Sequence, residues 1–229
     1  MKTEQNAHIE RTEKSYQTKK LTIIAITTAL AYLTVFLFDI RMFGFLSLEF
    51  KDVILVFASF IFGPLTGLAM TVVISFLELC TISSTGIIGL IMNVLSSASF
   101  VCIAALFHRK KPCLKNAVIG LVISTIAMTA VMLLWNYFIT PLYMGVAREA
   151  VVNMLIPTFL PFNLLKGALN ASLAIMLYPL ISLLEKANLI PKNQHNDNLR
   201  KKSNIGIIIV TAAVLITCIL LVLTIFKKI

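Results

Sequence analysis

The chain predicts an all-α integral membrane protein: a bundle of six membrane helices with a further hydrophobic helix appended at its C-terminal end. Three observations carry this. The 229 residues are 59% hydrophobic and only 13% charged, with mean hydropathy +0.93, whereas soluble domains are near a quarter charged. The apolar residues fall in runs long enough for a bilayer core of ~30 Å. Most of the basic charge falls in the segments between those runs, as membrane topology requires.

The runs come in order. The first is about Leu21 to Phe38, behind a polar tail, Met1 to Lys20, that carries three glutamates and is unlike a cleavable signal. The second, about Phe50 to Phe62, is short for a bilayer at about 1.5 Å per residue, so neighbouring helices must shield it. FGPLTG then turns the chain through Gly63, Pro64 and Gly67. Further runs follow at about Leu65 to Cys80, Ile87 to Phe107, Ala117 to Ile139 and Thr158 to Leu184. A last run, about Ile205 to Phe226, has no counterpart in a six-span scheme. The expected organisation is a tail over 1–20, a membrane domain over 21–185, a linker over 186–204 and the appended helix over 205–229.

Basic residues set the orientation. Lys2, Arg11, Lys14, Lys19 and Lys20 precede the first run. Arg109, Lys110, Lys111 and Lys115 follow the fourth, and Lys186, Lys192, Arg200, Lys201 and Lys202 follow the sixth. With six spans all three groups share one side, the cytoplasmic one, together with the N-terminus. Lys227 and Lys228 would then lie outside. The opposite side holds DIRMFGFLSLE, TISSTG and TPLYMGVAREAVVNMLIP, which are apolar enough to fold over something. A formal charge of +10 therefore reads as topology and not as a nucleic-acid surface.

Polar residues inside apolar runs tend to face protein or a cavity. Asn163 and Lys166 share a helix face, and Asn170 continues it. Asn136, beside Trp135 and Tyr137, lies near the outer end of the fifth run, as do Glu78 and Asn93 in the third and fourth. Glu49, Lys51 and Asp52 open the second run from the same side. Amides offer donors and acceptors, lysine only donors. With aromatic and aliphatic walls, such a set suits a flat, neutral heterocycle bearing carbonyls and ring nitrogens. Each residue also has a plainer reading. Trp135, Tyr137 and Tyr143 fit an interfacial aromatic belt. Asn93 and Asn170 fit interhelical hydrogen bonding. Lys51 fits a side chain snorkelling to the interface. For Lys166, a ligand contact or an ion pair stands against snorkelling, with Glu78 or Asp52 as the expected counter-charge.

Catalytic signatures are missing, and the chain is read as a non-enzyme. His8, His108 and His195 fall in expected tails or loops without metal spacing, and Cys80, Cys102, Cys113 and Cys218 read as small hydrophobes. No ATPase motif appears, so active transport needs a partner with a docking face. Ala25 and Ala29, in AITTALAYL, would let another helix approach closely.

Together these residues resemble the substrate-binding S components of energy-coupling-factor (ECF) vitamin transporters, in particular the riboflavin-specific ones. The resemblance runs from about Leu21 to Leu184, through AITTALAYL, FLSLEFKDVILVFASFIFGPLTG, WNYFITPLYMG and LPFNLLKG. It implies a six-helix S-component bundle that captures riboflavin from outside as transported ligand, with no cofactor and with FMN as a further ligand to test. By motif match, Asn163 and Lys166 would bind the isoalloxazine ring and Asn136 would join them. About Phe45 to Glu49 would cap the ligand, with Leu46 and Leu48 contributing. Tyr137, Glu78 and Asn93 complete the expected substrate-binding set. Ala25 and Ala29 would dock a membrane coupling subunit (T component) driven by two ATPases, in a bacterial plasma membrane. The chain departs from the family's acidic–Phe–Ser–Asp–Ile–Pro run, reading Glu49, Phe50, Lys51, Asp52, Val53 and Ile54. Alternatives are an S component for another vitamin or heterocycle, and a structural membrane protein without a small-molecule ligand.

Overall fold

The structure, a computed structural model, describes residues 2–38, 40–43, 46–83, 85–187, 189–190 and 205–226, without the side chains of 2–13, 40–43, 205, 208, 225 and 226. Expectations at Phe45, His195, Lys192, Arg200, Lys201, Lys202, Lys227 and Lys228 lie outside the described residues.

α1 runs unbroken over Lys2–Leu37, because nothing in that stretch is Gly or Pro. A short hairpin follows, β1 Ile40–Phe43 and β2 Leu46–Leu48, with Ile40 opposite Leu48 and Arg41 opposite Ser47. It is the strand element the helical reading left as loop, and alternation in LSL turns Leu46 and Leu48 inward.

α2 (Lys51–Phe62) has 12 residues, eight of them buried, and packs against α1, α3, α4 and α7. At about 18 Å it is too short to cross a bilayer alone. Its place among four other helices removes that need, as the sequence required. Gly63, at φ 95°, adopts a backbone most side chains disfavour, and Pro64 opens α3 (Pro64–Thr81) where its missing N–H is harmless. A Cβ at Gly67 would strike Ser59 of α2 and Val101 of α4 (Gly86–Lys110), so three helices meet there.

α4 and α5 (Leu114–Met144) lie close where Gly120 faces the Ala104 backbone. α5 passes its expected end at Ile139, runs through Pro141 and stops at Gly145, which takes the left-handed cap at φ 65°. The expected exterior segment beyond it is instead α6 (Arg148–Met154) and a π turn (Leu155–Phe159) leading into α7 (Leu160–Lys186). The π turn contains Pro157, which lacks a backbone donor, and Pro161 sits in the first turn of α7. Lys14–Leu37, α3, α4, α5 and the continuous Arg148–Lys186 stretch are long and apolar enough to cross a membrane.

α8 (Ile205–Phe226) packs on α7. Leu215, Cys218 and Val222 join Phe162, Leu165 and Leu169, whereas Ile207 joins the core cluster that includes Ile181. The two helices therefore run antiparallel. His108, read as a loop residue, is in fact in the last turn of α4 and 4% exposed. It stacks on Phe60 at 4.4 Å, and its Nε2 lies 3.1 Å from Tyr178 Oη.

Candidate ligand-binding site beneath the hairpin

The site forms where the hairpin lies over the start of α7. Leu46 and Leu48 pack in a cluster with Val151, Phe159, Phe162 and Leu165, so apolar burial presses β2 onto the helix. Two polar links tie the chain just beyond β2 to α7. Asn170 Nδ2 donates to the Glu49 carbonyl at 3.2 Å, and Lys166 Nζ lies 3.4 Å from Glu49 Oε2.

Behind this latch runs a buried polar chain. Lys51 Nζ lies 2.9 Å from Glu49 Oε2 and donates to both Glu78 oxygens at 2.6 and 2.7 Å. Asn93 Nδ2 donates to Glu78 Oε2 at 2.8 Å, and Ser47 Oγ to Glu49 Oε1 at 3.0 Å. Glu49, Lys51, Glu78 and Lys166 are all buried. Burial opposes ionisation of Glu49, but Lys166 and Lys51 outweigh it and hold its carboxyl down to about 2 from the ordinary 4.5.

Two expectations are corrected here. Lys51 does not snorkel: it is 1% exposed, because two carboxylates meet it inside the bundle. Among the described residues the ion-pair partner of Lys166 is Glu49, and neither Glu78 nor Asp52. The register of the α2–α3 hairpin gives Glu78 to Lys51 instead. That pairing was traceable in the sequence, since Lys51 and Glu78 stand at similar distances on either side of the FGPLTG turn. The hold of Ser47 and Asn170 on Glu49 had no such signal, because it depends on where the hairpin lands.

The other candidates divide. Asn163 is buried and its Nδ2 donates to Phe159 O at 2.8 Å, which leaves it an acceptor to present. Asn136 is fully buried; its Oδ1 accepts from Thr140 at 2.8 Å, and its Nδ2 has no hydrogen-bond partner among the described residues. Asn170 Oδ1 is likewise without one. A donor on α5 and an acceptor on α7 are thus left unpaired among the described residues. Glu78 lies behind Lys51 and is bonded to it, and Asn93 is bonded to Glu78. Tyr137 belongs to a different face, with the Arg148 guanidinium 5.3 Å from its ring centre. Trp135 leans on the core cluster, and both it and Tyr143 line a cleft between the outer parts of α4 and α5. Ala25 and Ala29 are exposed on α1 and join none of these contacts among the described residues.

Comparison with known proteins bears on the same residues. The family model for the substrate-specific component of ECF transporters matches residues 19–178. The riboflavin transporter RibU of Staphylococcus aureus is 33% identical over 170 residues, covering 71% of this chain and 89% of its own. RibU of Streptococcus thermophilus is 31% identical over 183 residues, covering 74% and 86%. The riboflavin transporter FmnP of Bacillus subtilis is 27% identical over 161 residues, covering 65% and 84%. A solved S component of a bacterial ECF transporter superposes with TM-score 0.64 at 31% identity, covering 74% of this chain and 99% of that one.

Proposed function

The chain belongs to the substrate-specific components of ECF transporters, and on that premise we propose that it binds riboflavin at its outer end for ATP-driven uptake. The observation that carries this reading is the buried row Asn163, Lys166 and Asn170 on α7, roofed by the hairpin and held to it through Glu49. A flat ring with carbonyls and an imide N–H meets there one ammonium, amide acceptors and, from α5, the unpaired Asn136 donor. The names of the three curated relatives support the same ligand. The chain is read as a binding and transport subunit, in line with the transporter family and relatives it matches.

The protein is a multi-pass membrane protein. Its orientation follows from the basic residues: the N-terminus, Arg109, Lys110 and Lys186 face the cytoplasm of a bacterial cell, and the hairpin faces outward. A membrane coupling subunit, the T component, docks on the exposed face of α1 at Ala25 and Ala29, and two ATPase subunits drive it.

The direct test is the visible absorption spectrum of protein purified from cells supplied with riboflavin. A flavin band that survives washing and is released on denaturation is expected. Colourless protein that also fails to quench added riboflavin fluorescence would sink the riboflavin assignment and direct a screen to other vitamins. Titration with FMN in the same assay reads out tolerance of a ribityl phosphate.

A further inference from the structure

Among the described residues, five ionisable side chains are buried at the outer end of the bundle: Glu49, Lys51, Asp52, Glu78 and Lys166. Three are carboxylates and two are ammonium groups, so the ionised set carries one surplus negative charge. An uncompensated buried charge is among the most costly features a fold can hold. The surplus sits with Asp52, which is 0% exposed and whose two carboxylate oxygens have no hydrogen-bond partner among the described residues. The amino end of α2 contributes a partial positive charge, but makes no side-chain cap bond there.

Two buried hydroxyl oxygens near this level lack partners among the described residues as well. Ser75 Oγ on α3 and Ser97 Oγ on α4 belong to residues 1% exposed, and neither has a hydrogen-bond partner among the described residues. Helix geometry turns all three residues toward one groove. Asp52 precedes Ser59 by seven residues, two turns on the same face of α2, and Ser59 abuts Gly67 of α3. Ser97 lies midway between Asn93, which bonds Glu78, and Val101, which abuts Gly67, so it faces α3 between those contacts. Ser75 falls between Gly67 and Glu78 on α3. Taking Ser59, Gly67 and Val101 as one level, the three side chains lie within about one helical turn along the bundle.

We propose that Asp52, Ser75 and Ser97 form a binding site for a small monovalent cation of sodium size. The donors are all oxygen, which suits a hard ion. One surplus charge selects a monovalent ion, since a divalent one would overshoot by a full charge in a low-dielectric interior. The bound cation joins α2, α3 and α4 where two hydroxyl groups are otherwise unpaired among the described residues. It also relieves Asp52's pull on Lys51, leaving that ammonium to Glu49 and Glu78.

The test is the melting temperature of the purified full chain as sodium chloride replaces choline chloride at constant ionic strength, together with binding of radioactive sodium. We expect a saturable rise of about 3 °C or more and near-stoichiometric sodium binding. Asp52→Asn should remove both. Ser75→Ala and Ser97→Ala should each raise the half-saturating sodium concentration about tenfold, which keeps the test decisive where Asp52→Asn fails to fold. A wild-type protein that melts alike in sodium and choline and binds no sodium overturns the proposal. So does a sodium effect undiminished in folded Asp52→Asn or in both serine variants. Flavin quenching on the same samples separates this outcome from failure of the riboflavin reading.

Discussion

At the residue scale, the two buried lysines hold different positions in one network. Lys51 contacts three carboxylate oxygens at 2.6 to 2.9 Å, the range of strong charge-assisted bonds. Lys166 reaches one, at 3.4 Å, and so keeps donor capacity for another acceptor. Lys166→Ala should therefore weaken riboflavin binding about a hundredfold, roughly 3 kcal/mol, with a smaller loss of melting temperature. Lys51→Met should do the reverse, lowering the melting temperature more, because it strands Glu78 and Glu49 in the interior. Fluorescence quenching and thermal unfolding on both variants check the split; equal affinity in wild type and Lys166→Ala would mean that Lys166 makes no ligand contact. The pH dependence follows from Glu49. Its folded pKa is depressed to about 2, so its contribution is complete above the ordinary 4.5 and fades only as pH falls toward that lower value. Riboflavin affinity measured from pH 5 to 8 should show no step from this carboxylate. A Glu49→Gln protein should bind more weakly across the whole range.

At the element scale, close helix approach carries the bundle, and glycine makes it possible at one site that tolerates no adjustment. A Cβ at Gly120 would lie 2.9 Å from the Ala104 carbonyl oxygen, a backbone atom of α4 that cannot swing aside. At Gly67 the nearest obstacle is the Ser59 hydroxyl, and at Gly167 it is Thr125, both side chains. Gly120→Ala should cost about 2 kcal/mol by overpacking and lower the melting temperature by about 5 °C. Gly206→Ala is the control: nothing lies within 4 Å of its added carbon, so helix propensity leaves it neutral or slightly stabilising. Equal melting of the two variants would show that α4 and α5 are free to separate.

At the scale of the whole molecule, the proposed binding end and the proposed docking face are separate surfaces. The polar chain lies inside α2, α3, α4 and α7, whereas Ala25 and Ala29 sit on a side of α1 that also exposes Leu21, Ile26, Leu30 and Leu33. Ala29→Leu should leave riboflavin affinity within about twofold, because the residue touches none of the binding groups. It should cut uptake by cells carrying the coupling module about tenfold or more, because small residues set how closely two helices approach. Co-purification with the coupling subunit, measured beside uptake, checks the cause. Unchanged uptake would remove Ala29 from the docking face.

The sequence by itself determined the class of the protein and most of its helices, because bilayer thickness and helical rise translate apolar run length directly into spans. It also marked Asn163, Lys166 and Asn136, since a polar residue in an apolar run is conspicuous wherever it folds. The shielding of α2 was legible for the same reason: a run too short to span must be enclosed. Tertiary structure alone decided the pairings. Glu49 reaches Lys166 across 117 positions of chain and Asn170 across 121, and no local periodicity encodes which carboxylate arrives at which ammonium. The pairing of β1 with β2 was hidden because the strands are too short for alternation to stand out, and burial of Leu46 and Leu48 against α7 is what stabilises them. Lys51 was misread for the same physical reason: whether a lysine in an apolar run snorkels or stays buried depends on a counter-charge, and its own came from another helix.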